Sequence, residues 1–226
     1  MRISFEGAGV DFEKRVVLQP LTLSLDESRI GVIGLNGSGK TTFARLINGL
    51  LKPSVGRVTL DGLDTVRQEK ALRGATGFIF QNPANQIILP LIRDDIALGL
   101  KPARLSTQET NARVDAVMAR FGIVHLSERR PHELSGGELQ LAALAAVVVT
   151  EPKLILFDEP TNQLDLKNRS MVERAISGLS QQALVISHDL ALVEDFQRVL
   201  VFHEGRLAFD GPGRPAVAQY REIAQS

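Results

Sequence analysis

Gly34-Leu35-Asn36-Gly37-Ser38-Gly39-Lys40-Thr41-Thr42 is the stretch on which the reading of this chain turns. It follows the apolar run Arg29-Ile30-Gly31-Val32-Ile33 and opens a helix-forming stretch that ends at Gly49. A glycine-rich turn between a strand and a helix, closed by Lys-Thr, fits the phosphate-loop pattern. Its glycines allow successive backbone N–H groups to turn inward around phosphate oxygens, and a helix starting near Lys40 aims its positive dipole end at the same anion. Lys40 suits the β and γ phosphates, and Thr41 offers a hydroxyl to Mg²⁺, which prefers oxygen ligands. Gly34, Asn36, Gly37, Ser38, Gly39, Lys40, Thr41 and Thr42 are therefore the candidate nucleotide-binding set. The alternative is a glycine-rich turn with an accidental Lys-Thr; the strand before it and the helix after it argue against that.

Outward from this loop, the chain alternates strands with helices, which predicts an α/β architecture with a largely parallel sheet. Leu21 to Leu25 alternates with period two, and Gly77 to Phe80, Leu154 to Phe157 and Ala183 to Ile186 are apolar runs of strand length, expected at the sheet centre. Val199 to Phe202 and Arg206 to Phe209 flank Glu204-Gly205 and read as a hairpin. Between Pro83 and Thr150 the pattern turns helical. Ser106-Thr107-Gln108-Glu109 is a capping box, Val114, Val117, Met118 and Phe121 recur at helical spacing, and Gly122 is a natural stop. Gly136 to Val149 reads as a second helix, apolar on most faces and ended by Pro152.

Composition narrows the function classes. Lys plus Arg and Asp plus Glu both total 26, so the net charge is zero, and electrostatics give no warrant for sequence-independent nucleic-acid binding. With no cysteine, disulfides, a cysteine nucleophile and thiolate metal sites are excluded. The opening Met1 to Glu6 reaches an acidic residue before any signal-length apolar run, and the longest such run, Leu141 to Val149, is about half a membrane span. Membrane work would need other chains to hold this one there.

Two further patterns carry chemistry. Leu154 to Phe157 leads into Asp158-Glu159, and a buried strand ending in adjacent carboxylates calls for a cation to offset desolvation. Asp158 suits the metal, and Glu159 suits a water-activating role beside the γ-phosphate. A plain Asp-Glu-Pro turn is the alternative, disfavoured behind a phosphate loop. Leu134-Ser135-Gly136-Gly137-Glu138 opens the apolar helix, and its unpaired amides, hydroxyl and glycines make a second anion site.

In this order and spacing the residues resemble the ATP-binding cassette (ABC) ATPases, whose signature is such a Leu-Ser-Gly-Gly run. The likeness covers nearly the whole chain. It implies a RecA-like phosphate-loop lobe with a mixed sheet over residues 1–84 and 150–226, and an inserted helical subdomain over 85–149 carrying the signature. It also assigns smaller motifs. Gln81 resembles the glutamine that reaches metal and lytic water; an ordinary strand-end polar residue is the alternative. Asp165, in Asn162-Gln163-Leu164-Asp165, matches the loop that crosses to the opposite subunit, and helix capping is compatible with that. His188 resembles the switch histidine contacting the γ-phosphate, although a lone histidine is commonly structural. Phe12 resembles the aromatic that stacks on adenine, but Phe5 and Phe12 are both possible core residues. The mechanism implied is head-to-tail pairing, with each ATP held between one phosphate loop and Ser135, Gly136, Gly137 and Glu138 of a second ATPase subunit, identical or homologous. The implied cofactors are ATP and Mg²⁺.

Gln81-Asn82-Pro83-Ala84-Asn85-Gln86-Ile87 followed by Asp94-Asp95-Ile96-Ala97-Leu98-Gly99 is similar to the energy-coupling factor importers. That resemblance implies vitamin or metal-ion uptake, a transmembrane coupling subunit, a membrane substrate-binding subunit, and a place on the cytoplasmic face of the membrane. Ile87 to Ile92 would line the groove for coupling helices, or be buried within the lobe. Two features depart from the pattern. Glu138-Leu139-Gln140-Leu141 stands where many relatives carry Gln-x-Gln-Arg, so a cationic contact is missing, and only a short tail, Pro212 to Ser226, follows the hairpin. That compact form resembles the biotin-uptake branch. A soluble ABC protein acting on nucleic acid or ribosomes is the rival, opposed by the neutral charge and by the lack of a coiled-coil insert or a second cassette.

Overall fold

The computed structural model describes residues 1–13 and 15–225. The chain opens with β1 (Ile3–Phe12) and β2 (Arg15–Leu25), then β3 (Arg29–Gly34) feeds the glycine-rich loop and α1 (Lys40–Ile47). β4 (Val55–Leu60), the two-residue β5 (Leu63–Asp64), a short α2 (Glu69–Leu72) and β6 (Thr76–Ile79) follow. Next come α3 (Ile92–Leu98), α4 (Thr107–Arg120) and α5 (Gly136–Val148), all within residues 85–149. The chain then alternates again through β7 (Leu154–Asp158), α6 (Leu166–Ser177), β8 (Gln182–Ile186), α7 (Leu190–Val193), the hairpin β9 (Arg198–His203) and β10 (Arg206–Gly211), and α8 (Gly213–Gln225). The tail expected from Pro212 is thus a docked helix, and its final residue, Ser226, lies outside the described residues.

The larger sheet has the order β10-β9-β3-β8-β7-β6, parallel throughout except for β10, which pairs antiparallel with β9. This is the mixed, largely parallel α/β core that the alternation of elements predicts. One placement differs from expectation. Strand 76–79 is an edge, not a central strand. Its two faces are both covered: Ile79 packs into the helical core and Phe78 into the core beside α1, while α5 comes so close that a Cβ on Gly77 would run into Val147. Apolar content reports that the faces of a strand are covered, not its rank in the sheet. A second, antiparallel sheet of order β2-β1-β4-β5 is not expected as a sheet, although Leu21 to Leu25, the end of β2, is expected as a strand. Register shifts along β1 between Phe5 and Asp11 interrupt the period-two pattern that would have revealed it.

The core explains why the phosphate loop is rigid. On one side of the large sheet, Leu154, Leu156, Leu184 and Ile186 meet α1 and the small sheet, while Ile155, Phe157, Ala183 and Val185 face α3 to α6 on the other. Alternate residues of β7 and β8 are therefore buried on opposite faces, which is why these strands are continuously apolar. Phe43 of α1 stacks on Phe5 with ring centroids 4.6 Å apart and meets Phe202 of β9 at 5.0 Å. All three rings are fully buried, and each contributes about 1.5–3 kcal/mol by burial. That cluster ties the helix behind the phosphate loop to both sheets.

In the helical region, Ser106 and Glu109 form the predicted capping box at α4, with Glu109 N–H donating to Ser106 Oγ at 3.2 Å and Ser106 N–H donating to Glu109 Oε2 at 2.8 Å. Val114, Val117 and Met118 are buried, Phe121 is partly so, and the chain turns at Gly122 with φ +68°. Leu141 is buried in the face of α5 against the helical core, so the residue expected to leave a cationic contact missing packs apolar surface instead.

Candidate active site

The loop after β3 is built by contacts that few residues tolerate. A Cβ on Gly34 would strike the Phe202 carbonyl oxygen and stand 2.7 Å from Ser38 Oγ, so close approach of β9 requires glycine there. Ser38 N–H donates to the Leu35 carbonyl at 3.2 Å, and Gly205 N–H donates to the Ser38 carbonyl at 3.2 Å. The β9–β10 turn therefore buttresses the loop from below. Gly39 caps α1 without a side chain, leaving the first-turn amides of the helix without a side-chain cap.

Lys40 is buried, and its Nζ donates to the Gly34 carbonyl at 2.8 Å and the Leu35 carbonyl at 2.9 Å. Two of its three donors are thus spent on fixing the side chain inside the loop. Burial pushes its pKa below the usual lysine value, while the charges of Glu159 and Asp158 pull it back up.

β7 delivers its two carboxylates to the same place. Thr41 Oγ1 donates to Asp158 Oδ1 at 3.2 Å. Burial pushes the Asp158 carboxyl above the usual range, against Thr41, Arg45 and Lys40, which favour the charged form. Glu159 adopts a left-handed backbone with φ +54°, unusual for a residue with a side chain and costing about 1 kcal/mol or more. It is held there by its N–H to the Ile186 carbonyl at 3.0 Å and by Asn162 N–H donating to its own carbonyl at 3.1 Å. Glu159 Oε2 accepts the backbone N–H of His188 at 2.9 Å. His188 Nε2 stands 3.2 Å from Glu159 Oε1, within ion-pair reach of a protonated ring but without hydrogen-bond alignment, so Oε1 is buried with no donor.

Lys40, Thr41, Gln81, Asp158, Glu159 and His188 line one cleft of about 220 Å³ with loop residues Asn36 to Thr42. A hydroxyl bonded to a carboxylate whose charge is disfavoured, beside a second carboxylate with a bare oxygen, is a donor set that suits a hard dication. Among the described residues no group of three or more His, Cys, Asp or Glu stands ready to hold a metal unaided. A cation here would need further oxygens, such as those of a phosphate.

The remaining candidates lie around this cleft. Gln81 is exposed and also borders a second hollow of about 310 Å³, lined by Gly136 and Gln140 of α5 and by Asn162 to Leu164. Ser135 caps α5, with Glu138 N–H donating to its Oγ at 3.4 Å and its own N–H donating to Glu138 Oε2 at 2.8 Å. Those bonds with Ser135 hold the Glu138 carboxyl below the usual range against a smaller push from burial. Ser135 and Gly136 are exposed, whereas Gly137 is buried against Asn168 of α6. None of Ser135, Gly136, Gly137 and Glu138 lines the cleft that holds Lys40. Asp165 caps α6, its Oδ1 accepting Asn168 N–H at 2.8 Å. Phe12 is 67% exposed beside the loop, in a hollow that also contains Leu35 and Asn36, while Phe5 is core. An ion pair escaped the sequence reading: Arg169 of α6 and Asp189, the residue after His188, whose side chains are in contact. They are far apart in sequence, and no local pattern pairs them.

The sequence profile described as ABC transporter matches residues 18–162. The chain is 63% identical over 224 residues to the biotin transport ATP-binding protein BioM of Rhizobium etli, covering 99% of this chain and all of that one. It is 37% identical to the energy-coupling factor transporter ATP-binding protein EcfA1 of Halalkalibacterium halodurans, over 85% of this chain and 70% of that one. Among solved structures, CbiO1 of Clostridium perfringens, described as part of the ABC transporter complex CbiONQ, superimposes with a TM-score of 0.86 at 29% identity, covering 99% of this chain and 93% of that one. No helix among the described residues is long and apolar enough to cross a membrane. Sequence profile, full-length relatives and backbone geometry converge, and the chain belongs to the ABC transporter family as the ATP-binding, ATP-hydrolysing motor of an importer of the energy-coupling factor type.

Proposed function

We propose that this ATPase works in pairs on the cytoplasmic face of the membrane, each ATP lying in the Lys40 cleft of one subunit and closed over by the signature of the other. The observation that carries this reading is the separation of the two anion sites: Ser135 and Gly136 are exposed and absent from the cleft where Lys40, Thr41, Asp158, Glu159 and His188 meet. One chain on its own has a half-built site. Residues 85–149 then form the lobe that presents the signature, and residues 1–84 and 150–226 the lobe that cradles nucleotide.

In this reading the loop amides and the Lys40 ammonium bind the phosphates, and Phe12 stacks on the base. Mg²⁺ would be held by Thr41 and Asp158, with Gln81 at its edge, and would supply charge neutralisation on the phosphate oxygens. Glu159 Oε1, bare of donors, orients a water and takes its proton, and His188 beside it contacts the γ-phosphate. Asp165 at the tip of α6 faces the second subunit.

A transmembrane coupling subunit and a membrane substrate-binding subunit are the partners. The apolar stretch of residues 87–92 supports docking of coupling helices: Ile88 is 75% exposed while Ile92 is core, so the segment is split between surface and interior. Asp95 fixes its shape by accepting Ile88 N–H at 2.7 Å and Leu89 N–H at 2.9 Å. The high identity to a biotin transport ATPase supports biotin as the cargo.

Glu159→Gln tests the chemistry. It should keep ATP binding and lower turnover by about 10²- to 10⁴-fold, the contribution of a general base. Near-normal hydrolysis would refute the assignment. Copurification from the native membrane tests the rest, with two membrane subunits expected and nucleic acid not.

A further inference from the structure

Arg169 of α6 projects toward the loop after β8. Its Nε donates to Glu173 Oε1 at 2.7 Å, and its guanidinium contacts Asp189 Oδ2. That contact pairs the two charges, and Arg169 is the compensating partner of Oδ2, which is buried from solvent. The other carboxylate oxygen, Oδ1, accepts Ala191 N–H at 3.2 Å at the start of α7. Asp189 N–H in turn donates to Ser187 Oγ at 2.9 Å, and Ser187 is fully buried. The three-residue loop is therefore pinned at both ends, with His188 between. Its backbone N–H is the donor to Glu159 Oε2 at 2.9 Å. Glu159 itself sits in a left-handed conformation that persists only while its surroundings hold it.

We propose that Arg169 is a positioning residue for ATP hydrolysis, acting through Asp189 and the backbone N–H of His188 to hold the Glu159 carboxylate at its working angle. This rests on the reading of Glu159 as the group that activates water. Without Arg169, Asp189 Oδ2 is a buried charge with no partner, and the loop relaxes toward water to solvate it. His188, the next residue, moves with the loop, and Glu159 loses the donor that orients it. Nucleotide binding is largely kept, because Arg169 and Asp189 are absent from the lining of the cleft and the phosphates are held chiefly by the loop amides and Lys40, which the loop after β8 does not carry. Glu173, the other partner of Arg169, lies one turn along α6, and its ion pair is with Arg169 rather than with the loop.

The test is ATPase kinetics and ATP affinity on the purified 226-residue chain and on its complex with membrane partners. Arg169→Gln should lower kcat by about tenfold to a hundredfold, the cost of a sub-ångström misplacement, with ATP affinity within about twofold of the parent. Retained affinity shows that the variant folds. Asp189→Asn should match it, and the double variant should be no slower than the slower single, because both break one linkage. Arg169→Lys, which keeps the charge but not the planar fork, should recover part of kcat. Glu173→Gln should stay within about twofold of the parent. Parental kcat in Arg169→Gln, additive losses in the double variant, or an equal loss in Glu173→Gln would overturn the proposal. If Glu159→Gln is crippled while Arg169→Gln is normal, only the relay fails; if Glu159→Gln is itself normal, the reading beneath it has failed.

Discussion

Of the residues proposed as the signature, Gly137 is the one whose replacement the structure prices most directly. A Cβ built there would stand 2.6 Å from Asn168 Cγ and 2.7 Å from Asn168 Cβ. Rotation of the asparagine side chain relieves the first contact but not the second, since Cβ moves only with its backbone. Restoring ordinary carbon–carbon separation, about 3.5 Å, requires α5 and α6 to part by roughly 0.8 Å. Overpacking of that kind costs about 1–3 kcal/mol. For a chain of this size each kcal/mol lowers the melting temperature by about 2–4 °C, so Gly137→Ala should melt roughly 2–12 °C below the parent. The assay is thermal unfolding of the nucleotide-free chain, where phosphate binding plays no part. Asn168→Gly in the same molecule removes the offending Cβ and should return part of the loss, less the roughly 1 kcal/mol cost of glycine within a helix. An unchanged melting temperature in Gly137→Ala would refute the packing argument and leave Gly137 needed only for the approach of an anion.

Two further outcomes follow from exposure and charge. Phe12→Ala should leave stability within about 0.5 kcal/mol, because the ring is largely in solvent, yet weaken ATP binding by roughly fivefold to a hundredfold if it stacks on the base; a fluorescent-nucleotide titration with unchanged affinity removes it from the site. Glu27 pairs with Arg198 at 2.9 Å at the β2–β3 turn, and although burial pushes its carboxyl up, its own and Asp26's backbone N–H groups and Arg198 together bring it below the usual value. A depressed carboxyl stabilises the fold above its unfolded pKa and loses that contribution as pH falls through the folded one. The deficit of Glu27→Gln in the urea midpoint should therefore be largest near pH 7 and shrink as pH falls below about 4.3, and a deficit independent of pH would contradict the sign.

What the sequence made legible was local. The loop from Gly34 to Thr42 declares itself because strand, turn and helix signals are contiguous. β7 and β8 were legible because burial on both faces leaves an unbroken apolar run, and α4 because its capping box is spelled in four residues. β1 was hidden by register shifts, and with it the small antiparallel sheet. The edge position of β6 was hidden because both its faces are buried, Ile79 against the helical core that includes α5 and Phe78 against the core beside α1. The pairing of Arg169 with Asp189 was invisible for a different reason. They meet only because α6 packs beside the loop that leaves β8, a consequence of tertiary packing that carries no signature in either segment.

The two bonds from Lys40 to the loop carbonyls have a consequence for affinity. A free lysine on a surface must surrender about 2 kcal/mol of rotamer entropy when a ligand captures it. Here that loss is incurred when the chain folds, so if Lys40 receives the triphosphate as proposed, the ligand meets an ammonium already immobilised with one proton left to donate. Preorganisation of this kind shifts the entropic penalty from binding to folding, and under the proposed site it would make the stiffness of the Gly34–Leu35 backbone a determinant of how tightly nucleotide is held.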